Sequence, residues 1–142
     1  MGASATEVHN FNPDDHPPAF PVYSHISTVN ISPTAKLVSI AGQAGKDNTP
    51  FGNQVRDALA KVDLCLSAAG ADKSCIVSVR QYIVKMLSRD PDDLPTRNRV
   101  YMDWWKSTEG TRAPPPSTLV GVDSLGRKGI EYEIDVTCVV GI

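Results

Sequence analysis

The chain has no surplus of positive charge. Its 142 residues carry 14 Lys and Arg against 16 Asp and Glu, a net charge of −2. Nothing in that balance drives binding to nucleic acid or to an anionic membrane. No apolar run approaches the ~20 residues that span a bilayer. Cysteine is scarce. Cys65, Cys75 and Cys138 form no CxxC pair, and each lies in an apolar stretch. They read as buried reduced thiols, which points to the cytoplasm. The three histidines, His9, His16 and His25, all fall in the first 25 residues, away from any cysteine. Zinc-type ligand spacing is therefore missing. A phosphate-binding GxxxxGK loop is missing too, as is any Ser-His-Asp or Cys-His pattern. The first 18 residues carry Glu7, Asp14 and Asp15 without an apolar core, so they do not read as a secretory leader.

What is present describes one globular domain. Apolar residues make up 41% and charged residues 21%, close to a soluble average. Proline is the one unusual count, at 11. Residues 1–21 are polar and Pro-rich, and are expected to form a flexible tail, mobile or laid along the surface. Residues 24–31 and 36–41 are β-type runs around a Ser32-Pro33-Thr34 turn, which suggests a hairpin. Thr49 and Pro50 fit the N-cap and first position of a helix. Phe51, Val55, Ala58, Leu59, Val62, Cys65, Leu66 and Ala69 then recur at three- and four-residue steps. They predict an amphipathic helix that packs on a sheet and ends at Gly70.

Residues 74–86 predict a central strand with apolar residues on both faces. Residues 94–106 predict a second helix, in which Trp104 and Trp105 serve packing. Three consecutive prolines exclude helix within 111–116. Residues 117–122 are a strand, and 125–129 a turn. The last strand alternates: Tyr132, Ile134, Val136, Cys138 and Val140 on one side, Glu131, Glu133, Asp135 and Thr137 on the other. The predicted order is β-β-α-β-α-β-β, an α/β (α+β) domain with both helices on one sheet face. The other face is expected to leave an apolar patch that an oligomer buries.

The motifs along this frame resemble a known family. Ile40-Ala41-Gly42-Gln43 resembles the "SGQ" signature of the Rid proteins, the YjgF-type imine/enamine deaminases. Ala68-Ala69-Gly70-Ala71 resembles the family's "AAG" helix end, and Asn98-Arg99-Val100-Tyr101 its "VNxxY". Pro115-Pro116-Ser117-Thr118-Leu119-Val120-Gly121-Val122 resembles "PARSTVGV", and Tyr132-Glu133-Ile134-Asp135 the closing "xEIE". On this resemblance residues 22–142 form the Rid-like domain.

The resemblance implies a chorismate-mutase-like fold in a homotrimer whose sheets form a barrel. It implies small-molecule pockets between subunits, with no metal and no cofactor. Its reaction is hydrolysis of an imine, tautomerised from an enamine, to a keto acid and ammonia. Glu133 matches the carboxylate thought to place water. Tyr23, Gly42 and Asn98 match substrate-binding positions.

The family's carboxylate-clamping arginine is missing. Ser117 stands there or, shifted by one, Pro116, and neither replaces a bidentate guanidinium. Ser117 and Thr118 leave two hydroxyls, and Arg112 and Arg80 are the candidate substitutes. Three functions stay open: an imine deaminase with an altered pocket, a tautomerase or tailoring enzyme for a neutral metabolite, and a non-catalytic ligand- or protein-binding trimer.

Overall fold

A computed structural model describes residues 6–108 and 112–142. Strand β1 is Val8–Phe11, β2 Ile26–Ser32 and β3 Ala35–Ala44. Helix α1 follows at Phe51–Ala68, β4 at Ile76–Val84 and α2 at Asp93–Lys106. β5 is Ser117–Val122 and β6 Tyr132–Gly141. The six strands form one mixed sheet in the order β1-β2-β3-β6-β4-β5. Only β4 and β5 run parallel. Two helices packed on a mixed sheet match the expected class.

The apolar stripe of α1 explains the core. Val55, Ala58, Leu59, Val62, Cys65 and Leu66 are buried against β3 and β6. They meet Val38 and Ile40 of β3 and the alternating Tyr132, Ile134, Val136 and Cys138 of β6. Period 3.6 on the helix and period 2 on the strand thus converge on one apolar layer. Gly70 closes α1 with φ +70, and Ala71 N donates back to Leu66 O at 2.9 Å.

Several expectations are corrected. Residues 1–21 are not simply a flexible tail, because β1 pairs antiparallel with β2, Val8 opposite Val29. Its unpaired edge-strand partner supplies the hydrogen bonds, and Phe11 packs on the core. Residues 1–5 lie outside the described residues, as does 111 in the Pro-rich connection. Thr49 does not cap α1. Its hydroxyl donates to Lys46 O at 2.7 Å, and Pro50 occupies the cap position. The strand expected over 74–86 is shorter, with 3-10 turns at Lys73–Cys75 and Met86–Ser88. Cys65 and Cys138 are buried, but Cys75, in the first of those turns, is only half-buried.

The sheet face away from the helices is more polar than expected. Val77 and Val139 are exposed there, at 46% and 38%. On the same face Asp135 accepts from Arg80 Nε at 3.0 Å and from Tyr82 OH at 2.8 Å. Strand alternation puts these polar side chains on the side that the helices leave open.

Candidate functional site

The site grows from an irregularity in β3. Its register against β6 shifts between Ile40 and Gln43, and Ala44 then pairs with Glu133. Such a bulge re-aims side chains and opens the ladder. The Glu133 carboxyl lies over the gap at Gly42. A Cβ on Gly42 would stand 2.6 Å from Glu133 Cδ and 2.8 Å from Oε2. Glycine is needed here for close approach, since its φ is ordinary.

Glu133 makes no hydrogen bond among the described residues. Burial holds its carboxyl above the usual range, and repulsion from Asp135 adds to this, while Arg127 pulls the other way. A carboxyl of this kind exchanges a proton nearer neutral pH than an exposed glutamate.

The segment between β1 and β2 closes over the site. His16 stacks on His25, with ring centroids 4.0 Å apart and planes at 12°. Gln43, itself buried, bridges the two. Its Oε1 lies 2.7 Å from His16 Nε2, and its Nε2 lies 2.9 Å from His25 Nδ1. The amide nitrogen donates to Nδ1, so neutral His25 carries its proton on Nε2. Burial keeps His25 below the ordinary imidazole range, which favours that neutral form. Tyr23 stands edge-on to His25 at 5.6 Å, and its hydroxyl accepts from Ala19 N at 3.3 Å.

These groups enclose a cavity of about 510 Å³, lined among others by His16, Tyr23, Gly42, Lys61, Arg127 and Glu133. A shallower groove of about 550 Å³ shares Tyr23, His25 and Gly42, and runs across Arg80, Asp135 and Thr137 on the open sheet face. Of the two, Glu133 lines the first and not the second.

The structure therefore brings Tyr23, Gly42 and Glu133 together. It does not bring the other expected residues to them within one chain. Ser117 lies on the helix side of the sheet, where its Oγ accepts from Gln81 Nε2 at 2.9 Å. The Gln81 carbonyl oxygen in turn accepts from Tyr132 OH at 2.7 Å. Thr118 is exposed on β5, which forms the sheet edge, and Asn98 is exposed on α2. Arg112 has a local role: its guanidinium donates to Ser74 O at 2.6 Å, and its carbonyl accepts from Trp105 Nε1 at 2.6 Å. Arg80 is paired with Asp135 in the shallower groove.

Four cavity groups carry no functional signal in the sequence alone: Gln43 stands beside Gly42 without a role of its own, His16 and His25 lack metal-ligand spacing, and Arg127 falls in a turn. Among the described residues, no group of three His, Cys, Asp or Glu side chains is placed to hold a metal ion. No described helix is long and apolar enough to cross a membrane.

Fold and cavity define a small α+β domain with a carboxyl-bearing pocket at the join of β3 and β6. The sequence pattern of the endoribonuclease L-PSP family matches residues 14–140, and the chain belongs to that family, the YjgF or Rid proteins. A YjgF/YER057c/UK114 protein from Mycobacterium tuberculosis is 24% identical, at TM-score 0.69. The match covers 94% of this chain and 100% of that one. A probable translation initiation inhibitor from Rhodopseudomonas palustris is 21% identical at TM-score 0.75, covering 96% of this chain and 100% of that one. Escherichia coli TdcF, solved with bound serine, is 25% identical at TM-score 0.69, covering 87% of this chain and 92% of its own. No curated protein matches in sequence.

Proposed function

We propose that this chain is a cofactor-free Rid-type enzyme of the cytoplasm that hydrolyses a small imine to a carbonyl compound and ammonia. The observation that carries the reading is the convergence of Tyr23 and Glu133 on one cavity, with Glu133 half-buried and its carboxyl without a hydrogen bond among the described residues. Serine bound to the related TdcF supports a ligand the size of an amino acid. The three free thiols support the cytoplasm.

In the proposed reaction Glu133 accepts a proton from water as the water oxygen bonds to the imine carbon. The C=N π pair moves to nitrogen, which takes that proton back from Glu133 to give a neutral carbinolamine. Glu133 then takes the carbinolamine's hydroxyl proton and passes it to the nitrogen as the C–N bond breaks, so that the oxygen pair forms the carbonyl and ammonia leaves. One carboxyl thus acts as base and then as acid, a task suited to a group held above the ordinary carboxylate range. The Tyr23 hydroxyl borders the same space and orients the substrate.

The working unit is a homotrimer. Asn98, Ser117 and Thr118 face away from the cavity of their own chain, and in this reading they reach the cavity of a neighbouring copy. Ser117 Oγ accepts from Gln81 and keeps its own O–H to donate. The open sheet face, with Val77 and Val139 exposed, supports burial against other copies. A net charge of −2 favours a small molecule over RNA as substrate, despite the ribonuclease name of the family.

Ammonia release from freshly generated 2-iminobutyrate or 2-aminoacrylate tests the activity. Acceleration that is lost in Glu133→Gln is expected, and a rate equal to buffer at high protein concentration overturns the deaminase reading. Light scattering tests the assembly, and a monomer overturns it. Turnover of a neutral enolisable substrate, with none of the imino acids, favours the tautomerase reading instead.

A further inference from the structure

We propose that Arg127, on the turn between β5 and β6, is the carboxylate anchor of the Glu133 cavity, which therefore selects small 2-imino and 2-oxo acids. This deepens the proposed function and rests on it for the imine chemistry alone.

The turn that carries Arg127 is held at its C-terminal end. Gly129 has φ +88, which favours glycine, and a Cβ there would lie 2.5 Å from Asn48 Oδ1. Its carbonyl accepts from Asn48 N at 3.0 Å and from Gln54 Nε2 at 3.1 Å. Gln54 is fully buried, and its Oε1 accepts from Glu131 N at 2.9 Å. The turn is thus fastened to Asn48 and to the first turn of α1 by hydrogen bonds just C-terminal to Arg127. Arg127 Nη2 donates to Asp47 Oδ1 at 2.7 Å, which tethers one edge of the guanidinium.

That bond uses one donor of a planar group that has five. The others make no hydrogen bond among the described residues. An arginine pinned along one edge and open along the other is preorganised for bidentate contact with a carboxylate. The charges in the cavity agree. Lys61 and Arg127 line it as cations, and Glu133 is the one acidic residue of its lining.

Three other arginines do not line the cavity and are engaged elsewhere: Arg80 with Asp135, Arg112 with Ser74, and Arg97 with Gln81 at 3.4 Å. A carboxylate on Arg127 places the adjoining 2-carbon in the space bordered by Glu133 and Tyr23. The family's arginine position, held here by Ser117, is then unnecessary.

Equilibrium binding separates this proposal from the enzymatic one, because 2-oxobutyrate and 2-butanone share a carbon frame and differ in the carboxylate. Both are titrated by calorimetry or ligand-observed NMR into wild type, Arg127→Met, Arg127→Lys and Lys128→Met. Wild type is expected to bind the keto acid and to discriminate against the ketone. Arg127→Met should weaken 2-oxobutyrate by about 10- to 100-fold, the range of one charge-assisted pair. Arg127→Lys, which keeps the charge without the fork, should fall between, and confirms the site if Arg127→Met fails to fold. Lys128→Met, on the same turn, controls for general charge. Failure of wild type to bind 2-oxobutyrate overturns the proposal, as does binding by Arg127→Met within twofold of wild type. An equal loss in Lys128→Met overturns it too. A protein that binds through Arg127 but releases no ammonia keeps the anchor and removes the deaminase reading.

Discussion

Replacing Gly42 by alanine tests whether the site depends on one missing methyl group. The new Cβ would stand 2.6 Å from Glu133 Cδ, 2.8 Å from Oε2 and 2.9 Å from Cγ. Non-bonded carbons prefer about 3.5–4.0 Å, so the carboxyl must move by about 1 Å. The obstructing atoms are the end of a flexible side chain, and Gly42 has an ordinary φ. The fold can therefore accommodate Gly42→Ala by turning Glu133 away, at about 0.5–1.5 kcal/mol for a poor rotamer. A displacement of that size at a proton-transferring group costs about 100-fold in rate. The expected result is a protein with near-native Tm whose kcat for ammonia release falls by about two orders of magnitude. Gly45→Ala is the contrast. Its Cβ would meet backbone atoms, Gln54 O at 2.6 Å and Gln54 Cα at 2.7 Å, which cannot swing aside. That variant should lose at least 1–3 kcal/mol of stability, roughly the cost of overpacking. Thermal melts and kcat measured together decide the matter. A Gly42→Ala enzyme with kcat within twofold of wild type refutes the reasoning, and so does a loss of Tm equal to that of Gly45→Ala.

Three further outcomes follow from the same geometry. Glu133→Gln should raise Tm at pH 8 and lose that advantage as the pH falls below about 4, the ordinary glutamate range. The folded state holds the Glu133 carboxyl above its unfolded value, so it favours the protonated form, and stability is lost as pH rises through the folded value. Melting curves across pH 3–8 check the sign, and a variant less stable than wild type at pH 8 contradicts it. In native protein only Cys75 should react with a thiol reagent at pH 8. Burial lifts Cys65 to about 11 and Cys138 to about 12, and both are shielded, so mass spectrometry should find one label per chain until denaturant is added. Gln54→Leu should destabilise the chain by about 1–3 kcal/mol for each buried partner left unpaired. It removes the amide bonded to Thr49 O, Gly129 O and Glu131 N, and chemical denaturation measures the loss.

The sequence by itself determined the elements whose physics is local. The three- and four-residue steps of α1, its stop at Gly70 and the alternation of β6 all specify a face to bury, and the structure buries those faces. Motifs in register across the chain carried the family and, with it, Tyr23, Gly42 and Glu133. Strand β1 was missed because four half-polar residues show little periodicity, and become a strand only when β2 offers a free edge. Tertiary structure decided what shares a cavity. Alternation within β5 and β6 is plain in sequence. That Ser117 and Glu133 lie on opposite faces follows only once β4 sits between those two strands. Arg127 reaches Asp47 across 80 positions, and Gln54 reaches Glu131 across 77. Such pairs leave no local periodicity, because the partners lie far apart in sequence and meet only where the folded sheet and α1 bring them together.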